Sequence, residues 1–193
     1  MGDPINKGRG LCAALIVIVT VCSLKRVIRK ANISVKNLHN LEIKFVGLDD
    51  NLHELGRQID LSEWDGDNEI DENDFTSESL KAYLCKQDAI FVVCYLITND
   101  VRNLAGIASV RIEQKPHKFS KWLYIDELDV CNSYRHQGVG TALMRGLLES
   151  AKKNNCEEIW LGAETDKLIP NEFYKSLKPD AIDSVTGYTF KLS

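Results

Sequence analysis

The stretch "LYIDELDVCNSYRHQGVGTA" (Leu123–Ala142) sets two chemistries side by side. Its first half reads as a strand that carries three carboxylates, Asp126, Glu127 and Asp129. Its second half, Arg135-His136-Gln137-Gly138-Val139-Gly140-Thr141, joins a strand end to a helix start. Glycines let successive backbone N–H groups converge on one spot, and a helix N-terminus adds partial positive charge. A pyrophosphate can therefore bind there without many basic side chains. Side chains alternate along a strand, so Asp129 is expected on the face of Glu127 and Asp126 on the other, unless a bulge intervenes. A lone acid at a strand end is ordinarily just solvated; three beside an anion cradle point to a cationic partner.

Other phosphate loops fit poorly. A Walker A loop needs a Gly-Lys-Ser/Thr ending, and the dinucleotide fingerprint needs a third glycine where Leu143 stands. An antiparallel hairpin also runs into this turn, unlike a Rossmann unit.

Downstream, Leu143, Leu147 and Ala151, with Met144 and Leu148, make one apolar face of a helix. Asn154 and Asn155 tolerate left-handed backbone and end it. "EEIWLGAE" is the next strand, "PNEFYKSL" a short helix with Pro170 at a permitted first position, and "YTFKL" a final strand. Upstream, "AIFVVCYLIT", the turn "NDVRN" and "LAGIASVRI" give two long strands. "SESLKAYLCK" is a short helix with Ser77 as its cap. Leu52, Leu55 and Ile59 follow helical spacing, and "LEIKF" alternates as a half-buried strand does. Three antiparallel strands followed by strand–helix–strand–helix–strand describe an α+β fold, a mixed and mostly antiparallel sheet flanked by helices.

With 193 residues, 44% of them hydrophobic, the chain can fill one core, and one domain is expected over residues 39–193. The net charge of -4 gives no reason to expect nucleic acid. The six cysteines include no C-x-x-C pair and the four histidines no H-x-x-x-H, so no metal is expected and the thiols read as reduced. Residues 1–38 form an extension containing the apolar run Leu11–Leu24, flanked by Lys7 and Arg9 and by Lys25, Arg26, Arg29 and Lys30. As a helix this run spans roughly 21 Å, short of the roughly 30 Å hydrocarbon core. A packed extension, a membrane anchor and a secretion signal are all open readings. Membrane contact is expected only if the run inserts, and its basic flanks would then keep the following domain cytoplasmic.

Glu63, Asp65, Asp67, Glu69, Asp71, Glu72, Asp74 and Glu78 follow one another without a Lys or Arg between them. They read as a solvated loop or as an acidic lip that attracts a polycation. "DGDNEIDENDF" lacks the ordered spacing of a calcium loop.

The pattern R-x-x-G-x-G after a strand ending in "LDV" resembles the acetyl-CoA signature of the GNAT acyltransferase superfamily. "AETDKLIPNEFYKSL" resembles that superfamily's next strand and helix, and from about residue 40 the order of elements matches throughout. Within it, "PHKFSKWLYIDELDV", "YRHQGVGTALM" and the terminal "YTFKL" most resemble the aminoglycoside 3-N-acetyltransferases. The resemblance implies a GNAT fold whose sheet splays at the acetyl-CoA site. It implies acetyl-CoA contacts from Leu128, Asp129 and Val130 on the strand and from Arg135, His136, Gln137, Gly138, Val139, Gly140 and Thr141 around the turn. It makes Glu127 the base that takes a proton from the acceptor amine, directly or through water, with Asp126 and Asp129 the other acids open to that role, and the Val130 N–H the group that polarises the thioester carbonyl.

Tyr174 is implied as the acid that protonates the departing thiolate, since a phenol near pKa ~10 can donate to a thiolate whose acid lies near ~8.5. Asp126, Asp129, Glu164 and Asp166 would line an acidic pocket for amino sugars. The family's usual "YxxLG" ending is absent here, because Leu177 is followed by Lys178 and Pro179.

The function so implied is acetyl transfer from acetyl-CoA, without a metal, to a primary amine of a small polycationic substrate. The 3-amino group of an aminoglycoside antibiotic is foremost, which would confer resistance. Acetylation of a polyamine or of a peptide or lysine amine is the same-fold alternative, and a non-catalytic acyl-CoA-binding module is the alternative of another class. Direct attack without an acyl-enzyme is expected, with Cys131 the nearest candidate nucleophile. A cytoplasmic catalytic domain, alone or as a homodimer, is compatible with this reading.

Overall fold

The computed structural model describes residues 40–64, 75–117 and 119–192. The apolar run Leu11–Leu24 and six of the eight acids, Asp65 to Asp74, lie outside the described residues. What is described divides into two compact units, one ending at Gly162 and the other beginning at Ala163.

The first unit is built on a sheet of five strands in the order β1-β2-β3-β4-β5. They are β1 (Leu41–Phe45), β2 (Ala89–Thr98), β3 (Val101–Gln114), β4 (Lys121–Val130) and β5 (Cys156–Leu161). The first four pair antiparallel, and β5 lies parallel to β4. β2 and β3 meet at a two-residue turn in which Asn99 and Asp100 both have positive φ, 50° and 62°. Tight hairpins need that backbone, and Asn and Asp tolerate it best after glycine.

Two helices, α1 (Leu52–Asp60) and α2 (Ser77–Leu84), cover one face of the sheet. Leu52, Leu55, Ile59 and Leu80 from them pack with Val46, Phe91, Val93, Leu104 and Ile107 in one buried cluster. Full burial of such side chains contributes about 1.5–3 kcal/mol each. Asn51 caps α1 by accepting from the Glu54 N–H at 3.0 Å. The cap of α2 is Thr76 rather than the expected Ser77. Thr76 has the extended backbone a cap requires and accepts from the Ser79 N–H at 3.0 Å, whereas the Ser77 hydroxyl donates to Glu78.

A longer helix, α3 (Val139–Lys153), crosses the other face and touches all five strands. Val139, Leu143 and Leu147 are its fully buried side chains. Asn155, at φ 58°, supplies the left-handed residue that ends it.

The second unit contains α4 (Leu168–Ser176). It begins two residues before the expected "PNEFYKSL", so Pro170 is third in the helix, still within the turn whose N–H groups need no partner. The expected final strand "YTFKL" is corrected: Tyr188–Leu192 carries no regular structure. Tyr188, Phe190 and Leu192 are 80%, 86% and 96% exposed. Alternation defines a face, but a strand also needs a ladder, and no described strand pairs with this segment. No helix among the described residues is long and apolar enough to cross a membrane.

Candidate active site

β4 pairs with β3 from Lys121 to Val130, but with β5 only from Lys121 to Ile125. Beyond Ile125 no strand among the described residues lies opposite its β5-side edge. The Cys131 N–H donates to the carbonyl of Ala105, one step beyond the Gly106–Val130 pair, at 3.0 Å. Hydrogen-bonded pairs alternate along an antiparallel ladder. The backbone groups of Glu127 and Asp129 therefore turn towards β3, and those of Leu128 and Val130 turn towards the open edge. Arg135 reaches back to this edge, its Nε 3.4 Å from the Val130 carbonyl.

The helix that follows begins beside it. Gly138, at φ 87°, is the N-cap of α3, and His136 also has positive φ, 58°. No side chain caps the helix and its first turn holds no acid. The first-turn N–H groups of Val139, Gly140 and Thr141 have no intrahelical acceptor and sit at the positive end of a long helix dipole. Gly106 on β3 makes the close seating possible. A Cβ there would lie 2.8 Å from both the Asp129 carbonyl oxygen and Val139 Cγ1, and 3.1 Å from Leu143 Cδ1. Gln137 closes the turn by donating to the Ser133 carbonyl at 3.0 Å.

The carboxylates are arranged by a register shift. Glu127 lies opposite Ser109, yet Ile125 lies opposite Val110, so Asp126 is an extra residue in a β-bulge. Glu127 and Asp129 share a face, as expected. Asp126 is corrected: the bulge carries it to Arg111, which lies on the Ser109 side of β3 and forms an ion pair with it. Arg111 also donates to Glu113 at 2.6 Å. Glu127 instead accepts from a neutral donor, the Ser109 hydroxyl, at 3.0 Å. Tyr83 of α2 reaches the bulge and donates to the Val110 carbonyl at 2.9 Å. Burial, and then the negative charge of Asp126, push its phenol pKa up.

Ser109, Tyr83 and Arg111 were missed by the sequence reading. Ser109 leaves one trace in the sequence, a lone hydroxyl in the otherwise apolar buried run Leu104–Val110 of β3.

Cys131, next to Val130, is buried and donates its thiol towards the Leu104 carbonyl at 3.5 Å. Burial pushes its pKa up to about 11, which makes thiolate scarce near neutrality. Asn132 ties the end of β4 to the chain leaving α1. Its N–H donates to the Glu63 carbonyl at 2.9 Å and its amide to the Trp64 carbonyl at 3.1 Å. The start of the acidic stretch is thus anchored beside the open edge.

In the second unit, Glu164 and Asp166 precede α4, and Asn171 donates to the carbonyls of Glu164 and Lys167 at 2.6 Å each. Tyr174 lies in α4 with its ring 5.0 Å from that of Phe173. Among the described residues no three metal-ligating side chains come together.

The model of the acetyltransferase (GNAT) family matches residues 57–178, more than half of the chain. The chain belongs to the GNAT family. GNAT enzymes use acetyl-CoA, and the α+β sheet with its truncated β4–β5 pairing is the fold of this N-acetyltransferase family. No curated protein matches the sequence. Among solved structures, the GNAT domain is similar to an aminoglycoside acetyltransferase from an uncultured soil metagenomic sample, in complex with sisomicin. The two are 20% identical with a TM-score of 0.67, covering 83% of this chain and 100% of that one. It is also similar to an integron cassette protein from the mobile metagenome of V. cholerae, at 25% identity and a TM-score of 0.59 over 79% of this chain and 93% of that one. A ribosomal-protein-alanine N-acetyltransferase from Brucella melitensis biovar Abortus 2308 shares 15% identity at a TM-score of 0.57, over 79% and 99%.

Proposed function

We propose that this GNAT enzyme transfers the acetyl group of acetyl-CoA to a primary amine of a small polycationic substrate, and that this substrate is an aminoglycoside modified at its 3-amino group. The observation that carries the reading is the open β4 edge, flanked by the uncapped start of α3 and by Glu127.

In this reading the α3 amides and the His136–Gly138 turn hold the coenzyme's pyrophosphate, with Arg135, Gln137 and Thr141 around it. Leu128 and Val130 pair with the pantetheine amides, and the Val130 N–H donates to the thioester oxygen as charge develops on it. Glu127 takes the proton of the attacking amine. The amine nitrogen forms a bond to the acetyl carbon, the C–S bond breaks, and a proton returns to the sulfur, the role the sequence resemblance gives to Tyr174. Asp129 and Asp126 supply negative charge for the remaining ammonium groups, a role the sequence resemblance extends to Glu164 and Asp166. Arg111 already balances part of that charge at Asp126. The raised pKa of Cys131 supports direct attack without an acyl-enzyme.

The choice of aminoglycoside rests on the sequence resemblance and on a structural neighbour that is itself an aminoglycoside acetyltransferase bound to sisomicin. Chromatography and mass spectrometry with acetyl-CoA and a panel of sisomicin, gentamicin, spermidine and a lysine peptide test it. Acetylation of an aminoglycoside, mapped by NMR to the 3-amino nitrogen, is expected. Turnover of spermidine or peptide alone would overturn the choice of substrate. Glu127→Gln is expected to lower kcat about 100-fold or more while coenzyme binding by calorimetry is kept.

A further inference from the structure

Ser109 and Glu127 face one another across β3 and β4, at the last regular pair before the register shifts. Ser109 is 7% exposed, and its hydroxyl donates to Glu127 Oε2 at 3.0 Å. A glutamate side chain on a strand samples several staggered rotamers, and one fixed donor selects one orientation of its carboxylate. The neighbours on the same face explain why the donor is neutral. Arg111, two residues along β3, is committed to Asp126 and Glu113, so it holds the adjacent acid while the hydroxyl holds Glu127. A charged partner on Glu127 would compete with a proton from the substrate; a hydroxyl orients the carboxylate and leaves its second oxygen for the amine.

The bulge that permits this arrangement has its own support. Tyr83 donates to the Val110 carbonyl, at the residue where the register changes, and packs its ring on Phe91 in the core at 6.3 Å. The phenol thereby fixes α2 to the shift that separates Asp126 from Glu127.

We propose that Ser109 is the positioning residue for Glu127, with Tyr83 fixing the bulge on which both depend. This rests on the reading of Glu127 as the base. Ser109 aims one carboxylate oxygen at the acceptor amine, and it acts on the acceptor side of the reaction alone.

The test is a set of variants read by steady-state kinetics, with folding checked by circular dichroism. Ser109→Cys keeps the shape and loses the strong donor. It should lower kcat roughly tenfold with the KM for acetyl-CoA unchanged, and Ser109→Thr should restore most of the loss. Combined with Glu127→Gln, Ser109→Cys should cost little more, because a residue that acts only through Glu127 has nothing left to position. Tyr83→Phe should lower kcat with the same insensitivity of the coenzyme KM.

Full activity of Ser109→Cys, or an equal loss in the presence and absence of Glu127→Gln, would overturn the proposal while leaving Glu127 as the base. Unchanged kcat in Glu127→Gln alone would overturn the base and the positioning role together.

Discussion

At the scale of single residues, burial decides which cysteines are chemically available. Cys94 and Cys131 are both buried, and desolvation pushes their thiols up to about 12 and about 11. Alkylation proceeds through the thiolate, so near pH ~7.5 these groups are protonated as well as shielded. Cys85 lies exposed at the end of α2. Iodoacetamide treatment of the native enzyme, read by peptide mass spectrometry, should label Cys85 and leave Cys94 and Cys131 unmodified. Unfolding should expose all three. Retention of acetyltransferase activity after that labelling would show that Cys85 carries no required acyl intermediate.

At the scale of elements, the seating of α3 against β3 depends on Gly106. Its φ is ordinary, so the requirement is one of space: the strand carbonyl at Asp129 and two α3 side chains occupy the volume of a methyl group. Gly106→Ala should destabilise the fold by about 1–3 kcal/mol through overpacking. It should also raise the KM for acetyl-CoA, because relief of the clash moves the start of α3 away from the β4 edge. Calorimetric unfolding and steady-state kinetics measure the two effects.

The elements were largely legible because their periodicities were clean. Strands β1 to β5, and α3 with its Asn155 terminus, follow from spacing and turn chemistry, whereas the expected turn "NDVRN" narrows to Asn99 and Asp100, Val101 to Asn103 being paired in β3. The turn from β4 into α3 at Arg135–Thr141 was legible for the same reason, since glycine placement is a backbone statement. The bulge at Asp126 was not, because a register shift depends on what β3 presents opposite, and no local pattern in "DELDV" encodes it. Nor was the pairing of Ser109 with Glu127, which joins residues eighteen apart in sequence through that same register. "YTFKL" misled because alternation reports a potential face and says nothing about whether a ladder partner exists.

At the scale of the whole molecule, the response to acid is expected to be uneven. Asp50, Glu54 and Glu78 have lowered pKa values, and all lie around α1 and α2. The Gly47 N–H and Lys44 hold Asp50 down, and the Ser77 hydroxyl does so for Glu78. Arg57 and then Gln58 bring Glu54 to about 2, from an ordinary 4.5. A carboxylate whose folded pKa is depressed contributes stability that is fully present above its unfolded value and is lost as pH falls through the folded one. Loss is therefore expected between pH 4.5 and about 2. Hydrogen exchange followed by mass spectrometry over that range should show α1 losing protection before α3, whose face on the sheet is held by apolar burial.

The short pairing of β5 has a consequence for solubility as well. From Asp126 to Val130 one side of β4 faces no strand among the described residues, and such an edge is a template on which another chain can lay itself down. Pantetheine carries amides spaced along an extended chain, so in the proposed binding mode a coenzyme paired there would act as a removable strand that finishes the sheet. In that binding mode the cosubstrate would double as an edge guard: light scattering from concentrated enzyme should fall when coenzyme A is added, before any acetyl group is transferred.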